Sequence, residues 1–133
     1  MFIVHQNDEE YLYEIPFSLL DVDMLLVSRI SKVAPGFGGG FTSSGSKTNE
    51  QVIHWSRKHN KILLKSISFN NVANDSLPIY TSVVNNNYHP VIASFDILAY
   101  NADSSAILIE VNQLFLNDIR AISPMSEFSR KNY

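Results

Sequence analysis

A chain of 133 residues, 45% of them hydrophobic and 11% aromatic, holds enough apolar material for one core and leaves no room for a second domain. The net charge of -3, with ten Lys and Arg scattered along the sequence, excludes the clustered basic face of a nucleic-acid binder. With no cysteine, a disulfide framework, a thiolate zinc site and a cysteine nucleophile are all excluded.

The opening Met1-Phe2-Ile3-Val4-His5-Gln6 has neither a basic leader nor an apolar core of signal-peptide length. No run approaches the ~18 apolar residues of a membrane span, so a soluble chain is expected. The first hairpin joins 2–5 to 11–15 across Asn7-Asp8-Glu9-Glu10. A short turn of helix fits 16–20, with Pro16 opening it, and 24–30 reads as a further strand. Residues 34–47 hold all five glycines, together with Thr42, Ser43, Ser44 and Ser46, and predict a long mobile loop.

The second hairpin joins 51–56 to 61–69 across Lys58-His59-Asn60, and a small helix fits 78–86. The third joins 91–100 to 106–111 across Asn101-Ala102-Asp103-Ser104, where Asn and Asp bond their own backbone and tolerate tight φ angles. A period of two puts Ala93, Phe95, Ile97 and Ala99 on one face, matched by Ile107, Ile109 and Val111, with Asp96 and Glu110 turned away. These elements predict a β-rich α+β fold: a mostly antiparallel sheet built from hairpins, with one or two short helices. Residues 1–118 are expected to form one domain. Residues 119–133 read as a departing segment whose Ile119, Ile122, Met125, Phe128 and Tyr133 face water or a second copy, giving weak self-association.

Gly40-Phe41-Thr42-Ser43-Ser44-Gly45-Ser46-Lys47-Thr48 nearly matches a phosphate-cradling loop, but Ser46 displaces the Lys and a strand follows where a helix is required. Of the four histidines, His54 and His59 lie five apart across a turn, and His5 and His89 have no partner at ligand spacing. Asp21, Asp23, Asp75, Asp96, Asp103 and Glu110 show no spacing that pairs them for acid–base work. Trp55 alternates with Ile53, and Phe95 with Ile97, as core residues do. Asn70-Asn71 and Asn85-Asn86-Asn87 suit turns, and Asn74-Asp75-Ser76 fits a glycosylation sequon. Arg29 within an apolar strand needs either Asp96 or Glu110 across the sheet or a solvated position. No catalytic, cofactor-binding or metal-ligating residue is assigned.

Tyr13-Glu14-Ile15-Pro16-Phe17-Ser18-Leu19-Leu20 and Met24-Leu25-Leu26-Val27-Ser28-Arg29-Ile30-Ser31 are followed by Gly38-Gly39-Gly40 and Asn49-Glu50-Gln51-Val52-Ile53 with Trp55. After them come Asn71-Val72-Ala73-Asn74-Asp75-Ser76-Leu77-Pro78-Ile79, Phe95-Asp96-Ile97 and Asp103-Ser104. In this order the segments resemble an uncharacterised domain upstream of the catalytic region in zinc-dependent, metzincin-like metalloproteases of Bacteroidota. The resemblance implies a non-catalytic accessory domain, scaffold or propeptide-like, of an exported enzyme that is periplasmic or extracellular. The zinc belongs to the parent's catalytic domain, which would be the partner, and none is expected in this chain. A peptide- or glycan-binding module, using the sheet face or the Gly/Ser-rich loop, is the alternative.

Overall fold

The structure, a computed structural model, describes residues 2–32, 44–67, 78 and 88–123. The strands are β1 (Ile3–Asn7), β2 (Glu10–Pro16), β3 (Met24–Arg29), β4 (Lys47–Lys58), β5 (Lys61–Ile67), β6 (Val91–Tyr100) and β7 (Ala106–Glu110). A 3-10 turn spans Phe17–Leu19, and a short helix, α1, the only one among the described residues, spans Asn112–Phe115. Every strand pair is antiparallel, in the order β1-β2-β7-β6-β5-β4-β3, and the sheet curls into a half-barrel. The expected fold class is therefore the observed one. The helix expected over 78–86, the loop residues 34–43 and the Asn-rich stretches over 70–71 and 85–87 lie outside the described residues, apart from Pro78.

All three hairpins form where the polar turns interrupt the apolar alternation. Asp8 and His59, in the first two turns, adopt left-handed backbone angles (φ 49° and 55°), as tight hairpins require. The third turn is held by side chains. Asn101 Oδ1 accepts the Ala106 N–H at 2.8 Å, and Asp103 Oδ1 accepts the Ser105 hydroxyl at 2.8 Å and its N–H at 3.3 Å.

One face of each strand except β1, which is exposed throughout, supplies the core. Ile15, Ile62, Leu64, Ile107, Ile109 and Val111 are fully buried, with Ile53, Trp55, Phe95 and Leu114 nearly so. Phe95 thus lies where its period-of-two row places it, and Ala93 and Ile97 pack against it. Ala99 does not, because the register shifts between Ile97 and Ala99. The extra residue, Leu98, is 56% exposed, and the row beyond it is reversed: Ala99 pairs with Leu108 on the outer face and Tyr100 with Ile107 on the inner. A second shift, at Ile92, interrupts the pairing with β5, and a third, at Thr48, interrupts β3 with β4. Bulges bend the strand that carries them, and two of these lie in the central β6, which accounts for the curl.

After β7 the chain runs over the concave face: Leu114 is buried, and Ile119 and Ile122, expected to face water or a second copy, pack against the core. Asn49 Nδ2 and Gln51 Nε2 both donate to the Ala121 carbonyl, at 3.0 and 3.2 Å. Apolar residues without a strand to join still need burial, and the open mouth of a half-barrel provides it. Met125, Phe128 and Tyr133 lie outside the described residues. At the other end of the concavity Phe17, Leu19 and Leu20 pack on the core, where Leu20 bridges Trp55 and the Asp21 N–H reaches the Trp55 carbonyl at 2.7 Å.

Replacing Ile119 and Ile122 together by Ala is expected to cost about 2–4 kcal/mol, because each is half-buried rather than fully enclosed. Leu116→Ala, at a site 60% exposed, should cost under about 0.5 kcal/mol. Denaturant unfolding followed through Trp55, the sole tryptophan, checks both. The bonds from Ser105 hold the Asp103 carboxyl below the ordinary aspartate range. As the pH falls, the unfolded chain takes up this proton first, so the contribution is complete above about pH 4–5 and is lost as the pH falls through the lowered pKa. Asp103→Asn should therefore show a shallower acid limb in melting temperature against pH.

Candidate functional site

The concave side is filled from within. Trp55 packs its ring against Phe2, Tyr13 and Phe95 at centroid distances of 6.1, 6.2 and 5.6 Å, and Tyr13 meets Phe115 at 5.7 Å. Burial raises the Tyr13 hydroxyl pKa above its usual value. At the rim the Arg57 guanidinium lies over Phe17 and Tyr100, 5.9 and 5.7 Å from their centroids, and donates to the Tyr100 hydroxyl at 3.0 Å. Trp55 and Phe95 are core residues, as their alternation predicts, and the concavity is a core rather than a binding cleft.

The outer face carries a hollow of about 300 Å³ lined by His5, Leu12, Glu14, Ala99, Tyr100, Asn101 and Leu108. Its geometry follows from the register. Glu14 pairs with Leu108 and Leu108 with Ala99, forming one row across β2, β7 and β6, while His5 pairs with Leu12 beside it. Because the bulge at Leu98 turns Ala99 outward, the smallest side chain of the row stands beside Leu108 and leaves a depression. His5 Nε2 and Glu14 Oε2 lie 2.9 Å apart on its wall, with Glu14 the more enclosed of the two. The lining is mostly apolar, with the His5–Glu14 pair and the Asn101 amide as its polar groups.

A second polar group sits on the outer face near β3. His54 Nδ1 is 3.4 Å from Asp23 Oδ1, His54 Nε2 is 4.0 Å from Asp21 Oδ1, and the His54 ring meets His89 edge-on at 6.0 Å. His89 Nδ1 is buried without a hydrogen-bond partner among the described residues. Sequence spacing gives His5 and His89 no partners; the sheet supplies Glu14 to the first and His54 to the second. Even so, no three His, Asp or Glu side chains converge in metal-holding geometry among the described residues.

The remaining candidates disperse. His59 stands in the second hairpin turn. Asp96 pairs with Lys61 at 2.6 Å, and Glu110 is exposed. Arg29 meets neither acid: it is exposed on the far edge and donates to the Gly45 carbonyl at 3.0 Å. Lys47 pairs with Glu50 inside β4, and Thr48 donates to the Ser28 carbonyl at 3.2 Å, so neither opens a helix toward an anion. Ser44 and Gly45 close the described end of the glycine-rich loop onto Ser31 and Ile30. Asp75 lies outside the described residues.

The fold is a curled antiparallel half-barrel whose concave side is filled by its own side chains. Residues 45–133 match the family described as Domain of unknown function (DUF5117), and the chain belongs to it. Residues 1–33 match a second, Domain of unknown function (DUF5118). No curated protein and no solved structure matches the chain. The two matched segments share one sheet: β2 and β3, from residues 1–33, pair with β7 and β4, from residues 45–133. Among the described residues no helix is long and apolar enough to cross a membrane.

Proposed function

We propose that the chain is a non-catalytic accessory module, of scaffold or propeptide-like character, in an exported bacterial zinc-dependent metalloprotease, and that the protease domain of the same parent docks in the outer-face hollow. The family resemblance supplies the parent, its zinc and its export. The observation that carries the docking role is the hollow itself: an apolar floor of Leu12, Leu108 and Ala99 bordered by the His5–Glu14 pair. Ile3, exposed on the neighbouring β1 and paired with Glu14, extends the apolar surface beyond the rim. Such a depression suits one apolar side chain of a partner, with the His5–Glu14 pair fixing the approach.

Filling the hollow tests this reading without touching the core. Ala99→Phe should keep the circular dichroism and melting temperature of the parent sequence while weakening binding to the protease domain at least about tenfold in calorimetry, the loss expected when an anchoring pocket is blocked. Binding unaffected by Ala99→Phe, or no binding at all, would contradict it. Tight binding of a free peptide or glycan in the hollow would favour a substrate-binding module instead, and peptide hydrolysis by the chain alone would refute the non-catalytic assignment.

A further inference from the structure

The strand at the opposite end of the sheet carries a different pattern. β3 is the last strand in the order, and among the described strands it pairs only with β4. Its residues alternate cleanly: Met24, Leu26 and Ser28 are half-buried, while Leu25, Val27 and Arg29 are exposed, Leu25 by 60% and Val27 by 40%. Proteins usually protect such an edge with Lys, Pro, a bulge or an inward charge, and Met24–Val27 has no charge or proline.

In place of protection the outer row has a sequence that complements itself. Read along the strand it runs Asp23, Leu25, Val27, Arg29: an acid, two apolar residues and a base at a spacing of two. We infer that β3 pairs antiparallel with β3 of a second copy of this chain, about a two-fold axis through Leu26. In that register Asp23 of each copy faces Arg29 of the other and Leu25 faces Val27, so two ion pairs and two apolar pairs form on one face. A shift of one residue sets the outer row of one copy against the inner row of the other. A shift of two sets Asp23 against Val27 or Leu25 against Arg29, and the complementarity is lost.

The charged ends are already held in place. Asp23 is fixed by His54 at 3.4 Å and Arg29 by the Gly45 carbonyl at 3.0 Å, and both keep capacity for a further partner. The other open edge, β1, is a poorer candidate. Centred on His5, it would set Ile3 against Asn7 with no opposite charges to fix the register. Pairing β3 of one copy with β1 of the next would be head-to-tail and would build open chains, whereas two β3 edges close as a dimer. The contact lies across the sheet from the outer-face hollow and does not depend on the protease reading.

Sedimentation equilibrium of the full chain over a concentration series tests the pairing. A monomer–dimer equilibrium is expected, weakened by salt because the ion pairs are exposed. Arg29→Asp sets two acids against each other twice and should weaken the dimer about tenfold. The exchange Asp23→Arg with Arg29→Asp in one chain restores the opposite charges and should recover the dimer to within about threefold of the original. A monomer at every concentration, a dimer indifferent to Arg29→Asp, failure of the double exchange to recover a correctly folded chain's dimer, or open-ended polymers would each overturn the inference.

Discussion

The fold rests on one constraint of connectivity: the first third of the chain supplies both flanks of the sheet. β2 pairs with β7 through Tyr13–Ile109 and Ile15–Ile107, and β3 pairs with β4 through Met24–Ile53 at the opposite end. Residues 17–23 connect these flanks, anchored by Phe17 N–H on the Ser105 carbonyl and by Leu20 and Asp21 on Trp55. The later strands thus lie between two strands of the earlier segment. The burial of Ile15 against Ile107 and Ile109 ties segments that match two different families into one hydrophobic core. Long-range pairing of this kind is costly in loop entropy, and the six fully buried aliphatic side chains are what offsets it.

Curl is the second consequence. Bulges at Ile92 and Leu98 bend β6, the strand in the middle of the order, and the bend gives the sheet a concave side. Trp55, Tyr13, Phe2 and Phe95 fill it with aromatic contacts, and α1 with Ile119 and Ile122 completes the cover. The Leu98 bulge also turns Ala99 outward and so produces the outer hollow. The irregularity that shapes the core therefore shapes the surface left for a partner.

The hairpins were legible because each combines a period of two with a turn whose residues tolerate unusual backbone angles, as Asn7-Asp8 and Asn101–Ser104 do. The bulge at Leu98 was not: Ile97, Leu98 and Ala99 are all apolar, so nothing in the string marks which one leaves the ladder. The packing of Ile119 and Ile122 was not legible for a related reason. Ile119 and Ile122 have no periodic partner nearby, and their burial depends on Asn49 and Gln51, some 70 positions earlier, reaching the Ala121 carbonyl. Among the polar groups, His5–Glu14 follows from the first hairpin's register, since His5 opposite Leu12 puts Glu14 diagonally beside it. His54 beside His89 does not, because His89 precedes β6, which β5 separates from the β4 of His54, and no spacing encodes that adjacency.

The central claim is that the two matched segments unfold as one unit, and native-state hydrogen exchange on the intact chain addresses it most directly. Ladder amides of β2 and β3 are expected to share one opening free energy with those of β4, β5 and β7, equal to the global value from Trp55 fluorescence. Free exchange in β2 and β3, with β4 to β7 still protected and unfolding cooperatively, would contradict it. The earlier segment would then be an appendage to a core that stands without it.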